Sequence, residues 1–292
     1  MNTVFLNGKS INHNIKDIRF SDGASTIVVK QPELTPDQLR PSSLVILVHP
    51  KTEADRVLHE VEMICEAVSN WSVVPDEITL RMPYFPYARA DRVFEEGGVC
   101  GLQMFCNRLS KLPISSVVSD DIHNPDAEAF NVLYENGITL ENREMVKCFR
   151  ENVNMSFNDW DVLVAPDKGS IEKVKKVSDS TGIPMITMSK KRDPETGKIL
   201  SLAVDGDHDL TGKKVLILDD ITDGMGTHLW AAQLLKNLGA KETDLFVTHF
   251  IGANGALRKA KGLIDNILYA NLVGNHVSET ELMLFREKVV FS

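Results

Sequence analysis

Short, uninterrupted apolar runs that alternate with stretches of helical periodicity constrain this chain more than any other feature. Ser43–Val48 (SLVILV) is continuously apolar after its first residue, as a strand buried on both faces must be. In the following stretch, Glu53–Trp71, Val57, Val61, Ile64, Cys65 and Val68 recur at helical spacing. Further runs of the same kind are Glu77–Met82, Ile114–Ser119, Asp161–Ala165, Pro184–Met188, Lys214–Leu218, Asp244–Thr248 and Asn266–Ala270. Helical patterns separate most of them. Thr227–Leu238 carries Ala231, Leu234, Leu235 and Leu238 on one face, and Gly239 is its expected stop. Strands separated by helices predict an α/β fold of mostly parallel sheets flanked by helices. The 292 residues suit two domains. The weakest pattern lies between Phe130 and Asn158, so the expected domains are 1–138 and 139–292.

Charge narrows the partners. Lys and Arg number 32 against 41 Asp and Glu, a formal net charge of −9. Such a chain, with no basic block, is a poor ligand for nucleic-acid phosphates. It suits a partner that brings its own cation, such as a metal–nucleotide complex. Cys65, Cys100, Cys106 and Cys148 form no CxxC pair and are expected to be reduced and structural. The N-terminus has no apolar core of signal-peptide length, and there is no 18-residue apolar run. A soluble, cytoplasmic protein without membrane contact is expected.

In open parallel sheets, ligands bind beyond the carboxyl ends of the strands. Polar residues concentrate there: His49; Tyr84, Tyr87, Arg89, Asp91 and Arg92; Asp120, Asp121 and His123; Asp167; Lys190–Arg192; Asp219 and Asp220. The most specific segment is Val215–Thr227, VLILDDITDGMGT. A hydrophobic strand ends in two acids, a turn with two glycines follows, and Thr227 opens a helix. This pattern predicts a ribose-phosphate cradle. Asp219 and Asp220 would accept hydrogen bonds from neighbouring sugar hydroxyls. Gly224 and Gly226 would let the backbone approach an anion, and the helix start would favour a phosphate.

That segment resembles the phosphoribosyl-pyrophosphate binding loop shared by phosphoribosyltransferases and ribose-phosphate pyrophosphokinases (PRPP synthetases). Other segments point to the second group. MPYFPYARADR (Met82–Arg92) is similar to the synthetase signature IPYFGYARQDR, and SDDIH (Ser119–His123) to the metal-binding MDLH. VAPDKG (Val164–Gly169) is similar to SPDxG, SKKR (Ser189–Arg192) to the start of the basic catalytic loop, and RFSDG (Arg19–Gly23) to the segment reaching adenine. These matches run in family order over nearly the whole chain.

The resemblance implies two phosphoribosyltransferase-like domains and transfer of the β,γ-diphosphate of ATP to the anomeric hydroxyl of a ribose 5-phosphate group, with release of AMP. It implies Mg2+ held by His123 with Asp121 and Asp167, and an ATP site with Arg89, Asp91 and Arg92. Lys190 and Arg192 correspond to catalytic cations on a mobile lid that continues through Asp193–Lys198. The ribose-phosphate site comprises Asp167, Asp219, Asp220, Asp223, Gly224, Met225, Gly226 and Thr227. Phe20 and Asp22 would contact adenine in a neighbouring subunit, which implies a homo-oligomer, at least a dimer.

Departures from the pattern bear on the acceptor. Where the synthetases read DTAGT, this chain has Asp223-Gly224-Met225-Gly226-Thr227. The Thr that meets the 5′-phosphate is Gly224, and the small Ala is Met225. The family Gln of YARQDR is Ala90, the Glu closing FSDGE is Ala24, and Asp120 stands where Met is common. The chain also ends at Ser292, earlier than usual for the family. Two acceptors therefore stay open: ribose 5-phosphate, and ADP-ribose, whose pyrophosphorylated product would serve NAD salvage. A noncatalytic regulatory relative and a phosphoribosyltransferase are the other readings; the retained charged residues oppose the first and the N-terminal motifs the second.

Overall fold

The computed structural model describes residues 2–33, 42–153, 159–192, 199–278 and 281. The chain divides into two compact units, Met1–Arg143 and Glu144–Ser292.

In the first unit the strands are β1 (Thr3–Leu6), β2 (Lys9–Ser10), β3 (Ile15–Arg19), β4 (Ser25–Val29), β5 (Ser43–Leu47), β6 (Glu77–Met82), β7 (Ser116–Asp120) and β8 (Thr139–Arg143). The helices α1 (Ala54–Ser69), α2 (Gly101–Leu109) and α3 (Asn131–Glu135) lie between the last four strands. The sheet order is β2-β1-β5-β6-β7-β8, with β5 to β8 parallel and β1 antiparallel to its neighbours. β3 and β4 form a separate antiparallel hairpin. The expected boundary at 138 moves to 143/144, because Thr139–Arg143 pairs in parallel with β7 and closes the first sheet.

The second unit continues with α4 (Met145–Asn152), β9 (Val162–Ala165), α5 (Ile171–Thr181), β10 (Met185–Arg192), β11 (Ile199–Val204), β12 (Lys214–Thr222), α6 (Gly226–Asn237), β13 (Glu242–Phe250), α7 (Ala256–Ala260) and β14 (Ile267–Leu272). The order is β11-β10-β9-β12-β13-β14, parallel except for β11. From β9 the chain first builds outward to β10 and then returns to place β12 on the other side of β9. The junction of β9 and β12 is therefore a topological switch point, where the carboxyl ends of open α/β sheets leave a crevice.

Strand side chains alternate between faces, and the two cores follow that alternation. Val215 and Ile217 of β12 pack with Ala231, Ala232 and Leu235 of α6. Leu216 and Leu218 pack with Phe149 of α4 and Val174 and Val177 of α5. The expected α/β class with two mostly parallel sheets holds. β12 runs through Asp219 and Asp220 to Thr222, longer than its apolar run. The four cysteines are free thiols; burial pushes Cys65 and Cys106 up to about 12, so both are inert. Among the described residues no helix is long and apolar enough to cross a membrane.

Candidate active site

In the first unit, the segment after β6 is fixed by its apolar members. Phe85 is 1% exposed and meets Phe105 and Phe130 edge-on at centroid distances of 5.5 and 5.3 Å. Ala88 is also buried. Tyr87 takes a left-handed φ of 59° and hydrogen-bonds Asp55. Gly101 lets α2 close on this turn, since a Cβ there would lie 3.0 Å from Tyr87 Cδ1 and 3.2 Å from Ala90 Cβ. With those residues turned inward, Arg89 and Arg92 are exposed and Asp91 half-buried. The Arg92 guanidinium stands 5.4 Å over the Phe94 ring.

The end of β7 follows the same logic. Asp120 is buried and accepts from Arg81 Nη2 at 2.6 Å and Arg143 Nη1 at 2.8 Å. Asp121 is 1% exposed with φ 36°, and its N–H donates to Arg143 O at 2.8 Å. Ile122 is buried, and His123 beyond it is exposed. Asn124 Nδ2 donates to Asp91 Oδ2 at 2.7 Å, so this loop and the Arg89–Arg92 loop are joined directly.

In the second unit the predicted residues gather at the β9/β12 switch point. Asp167, after β9, accepts from the N–H groups of Gly169 (3.0 Å) and Ser170 (3.2 Å), which shapes the turn into α5. Asp219 and Asp220 continue the two faces of β12. Asp219 extends the Val215–Ile217 row toward α6, where His228 Nε2 lies 2.9 Å from its Oδ2. Asp220 extends the other row toward α5, where Lys173 Nζ donates to its Oδ2 at 3.0 Å. The expected side-by-side pair is thus divided between two helices, and only a ligand over the strand's carboxyl end meets both.

The turn that follows departs from expectation as well. Neither Gly224 nor Gly226 has a positive φ; the left-handed residue is Met225, at φ 63° and ψ 11°. That conformation costs a non-glycine residue about 1 kcal/mol, and the burial of the Met225 side chain in the core with α6 offsets it. Met225 therefore shapes the backbone and does not line a ligand space. As N-cap it supplies no side-chain hydrogen bond to the α6 N–H groups. Asp223 is exposed and Thr227 half-buried beside them.

Comparison with known proteins reaches both units of the chain. The family described as "Phosphoribosyl transferase domain" matches residues 139–268. A ribose-phosphate pyrophosphokinase of Pyrococcus abyssi is 27% identical over 281 residues, 96% of this chain and 90% of its own. That of Pyrococcus furiosus is 29% identical over 209 residues, 71% of each chain. The chain is similar to the ribose-phosphate pyrophosphokinases over nearly its whole length. The fold agrees: the crystal structure of phosphoribosylpyrophosphate synthetase from Mycobacterium smegmatis superposes with a TM-score of 0.68 at 22% identity, covering 87% of this chain and 79% of that one.

The remaining family motifs fall elsewhere. Phe20 and Asp22 sit on the β3–β4 turn, with Phe20 54% exposed and Asp22 Oδ1 accepting from Ala24 N–H at 2.9 Å. The backbone of Lys190 and Arg192 lies on β10, paired with β11; their side chains, and the expected lid Asp193–Lys198, lie outside the described residues. His228, Lys173, Asn124, Arg81 and Arg143 were not singled out from sequence. The signal for His228 and Lys173 was a polar residue early in a helix that follows an acidic strand end.

Burial pushes the Asp219 carboxyl up from its usual 3.8; His228 draws it back, and the Asp220 and Asp167 charges add to the rise. A value raised by folding gives stability that is complete below pH 3.8 and is lost as pH climbs through the folded-state value. Ionised Asp219 is thus a cost at neutral pH. Asp219→Asn is expected to raise the urea midpoint relative to wild type more at pH 7 than at pH 4. A larger gain at pH 4 would contradict this origin of the shift.

Proposed function

We propose that this chain is an ATP-dependent pyrophosphokinase acting on a ribose 5-phosphate group. The acceptor's anomeric oxygen forms a bond to the β-phosphorus of ATP, the bond from that phosphorus to the bridging oxygen of the α-phosphate breaks, and AMP leaves with that oxygen. The observation that carries the reading is the start of α6: an N-cap without a side-chain donor or acceptor, at a switch point, flanked by Asp219 and Asp220. Free N–H groups and the helix dipole there favour the 5′-phosphate. The acids accept from sugar hydroxyls, and Asp167, Asp223, Gly224, Gly226 and Thr227 complete the surroundings.

In this reading Arg89 and Arg92 fork onto ATP phosphate oxygens, oriented by the buried Phe85 anchor, while Asp91 is held by Asn124. Lys190 and Arg192 neutralise charge on the transferring group. Phe20 and Asp22 serve the adenine of a neighbouring subunit in a homo-oligomer; an exposed aromatic on a hairpin tip suits that use. The setting is the cytoplasm, where ATP is available. Among the described residues no three metal-binding side chains converge on one point. Mg2+ does not need such a cage, because it is usually bound through one or two carboxylates together with substrate phosphates. His123 and Asp121 on the first unit and, separately, Asp167 on the second are donors suited to an ion carried by ATP, which would draw charge off its phosphates.

Incubation with ATP, Mg2+ and each candidate acceptor, followed by product masses, tests the reading. AMP together with a pyrophosphorylated acceptor is expected; a chain that releases no AMP with either acceptor is the noncatalytic relative instead.

One observation favours ADP-ribose as the acceptor. A Cβ at Gly224 would meet nothing nearer than Asn254 Nδ2 at 3.7 Å and Ala253 O at 3.9 Å, so the backbone does not demand glycine. The missing side chain leaves space, and no hydroxyl, where a substituted phosphate would lie. Gly224→Thr alone is the clean test, since Met225→Ala would open a core cavity. Loss or gain of one hydrogen bond changes affinity by about fivefold or more. The ratio of kcat/KM for ribose 5-phosphate over ADP-ribose is expected to rise by at least that factor. An unmoved ratio in an enzyme that already prefers ribose 5-phosphate would remove the ADP-ribose reading.

A further inference from the structure

His228, the third residue of α6, is 4% exposed and bridges two groups of β12. Its Nε2 lies 2.9 Å from Asp219 Oδ2, and its Nδ1 lies 3.0 Å from Thr222 Oγ1, which is itself buried. When Asp219 is ionised it only accepts, so Nε2 then carries a proton. The Thr222 hydroxyl either donates to Nδ1 or accepts from it, so the ring is satisfied in both of its protonation states. The other Asp219 oxygen, Oδ1, accepts from the Asp220 N–H at 2.9 Å. Each Asp219 oxygen thus has one fixed partner, one from its own strand and one from α6, and each oxygen has a second lone pair.

The bridge also joins two elements of recognition. His228 belongs to the first turn of α6, the turn whose N–H groups are assigned to the phosphate, while Asp219 is assigned to the sugar. A hydrogen bond between them sets the distance from sugar ligand to phosphate ligand. Without it, Asp219 Oδ2 would lose the partner that counters burial and the Asp220 and Asp167 charges, all of which favour the protonated carboxyl.

We propose that His228 is a positioning residue for Asp219: clamped between Thr222 and Asp219, it fixes the carboxylate in the orientation that receives the acceptor's ribose hydroxyls. The proposal rests on the reading of Asp219 as a ribose ligand. It is tested by steady-state kinetics on the full chain with MgATP and whichever of ribose 5-phosphate and ADP-ribose the wild type turns over better. His228→Leu is expected to raise the acceptor KM about tenfold, the scale of one charge-assisted hydrogen bond, with the ATP KM within about twofold. His228→Gln has an N–H for Asp219 and an oxygen for Thr222, and should recover most of the loss. In an Asp219→Asn background, His228→Leu should add nothing further. Equal acceptor KM in wild type and His228→Leu, or full additivity with Asp219→Asn, would overturn the proposal. If His228→Leu does not fold, Thr222→Val carries the test: an acceptor KM raised about threefold is expected from the loss of one neutral hydrogen bond, and a wild-type value overturns it. The two levels separate cleanly. An Asp219→Asn enzyme with unchanged acceptor KM fails the ribose reading, and this proposal with it; a raised KM in Asp219→Asn but not in the His228 and Thr222 variants fails this proposal alone.

Discussion

Side chains alternate across a strand, and on β12 burial fixes which face each residue takes. Val215 and Ile217 must meet α6, and Leu216 and Leu218 must meet α4 and α5, because both faces of the sheet are covered. A slip of one residue would expose neither face to water; it would exchange every partner. The acids at the end of the strand inherit this register. Asp219 is delivered to His228 and Asp220 to Lys173, each within hydrogen-bonding distance. The core of the second unit therefore sets the orientation of its charged edge, and the lone left-handed residue in the turn, Met225, is tied to that same core.

The first unit reaches a similar end with different means. Its charged loop hangs from a buried aromatic cluster centred on Phe85, and its acidic strand end is locked by Arg81 and Arg143 closing on Asp120. Removing one partner from a buried ion cluster is costly, because the remaining charges stay desolvated. This accounts for Asp120 at a position where the family commonly has Met: here the residue is structural.

The parallel core was legible because continuous apolar runs have few other uses. Glu77–Met82 was read to the residue, and the runs at 43, 161, 214 and 244 lay within one or two residues of a strand's start. β1 to β4, β8 and β11 are not legible in the sequence; most are short edge or hairpin strands that mix polar with apolar residues, as Thr139–Arg143 (TLENR) does. At the site, the motif residues were legible as a family pattern, but their partners were not. His228 and Lys173 matter only through the pleat and the helix faces that bring them to Asp219 and Asp220. Met225 looked like a change in the ligand space; its side chain goes inward because the turn needs a left-handed residue before α6, and that geometry points it at the core.

The central claim is that the carboxyl end of β12 and the start of α6 hold the acceptor, while the loops after β6 and β7 hold the nucleotide. Amide hydrogen exchange with one ligand at a time tests it most directly. With the preferred acceptor alone, the account predicts slowed exchange at Asp223–His228 and none at Tyr84–Arg92. With a non-hydrolysable MgATP analogue alone, it predicts slowed exchange at Tyr84–Arg92 and Asp121–Asn124. Acceptor protection confined to Tyr84–Arg92, with Asp223–His228 unchanged, would contradict it.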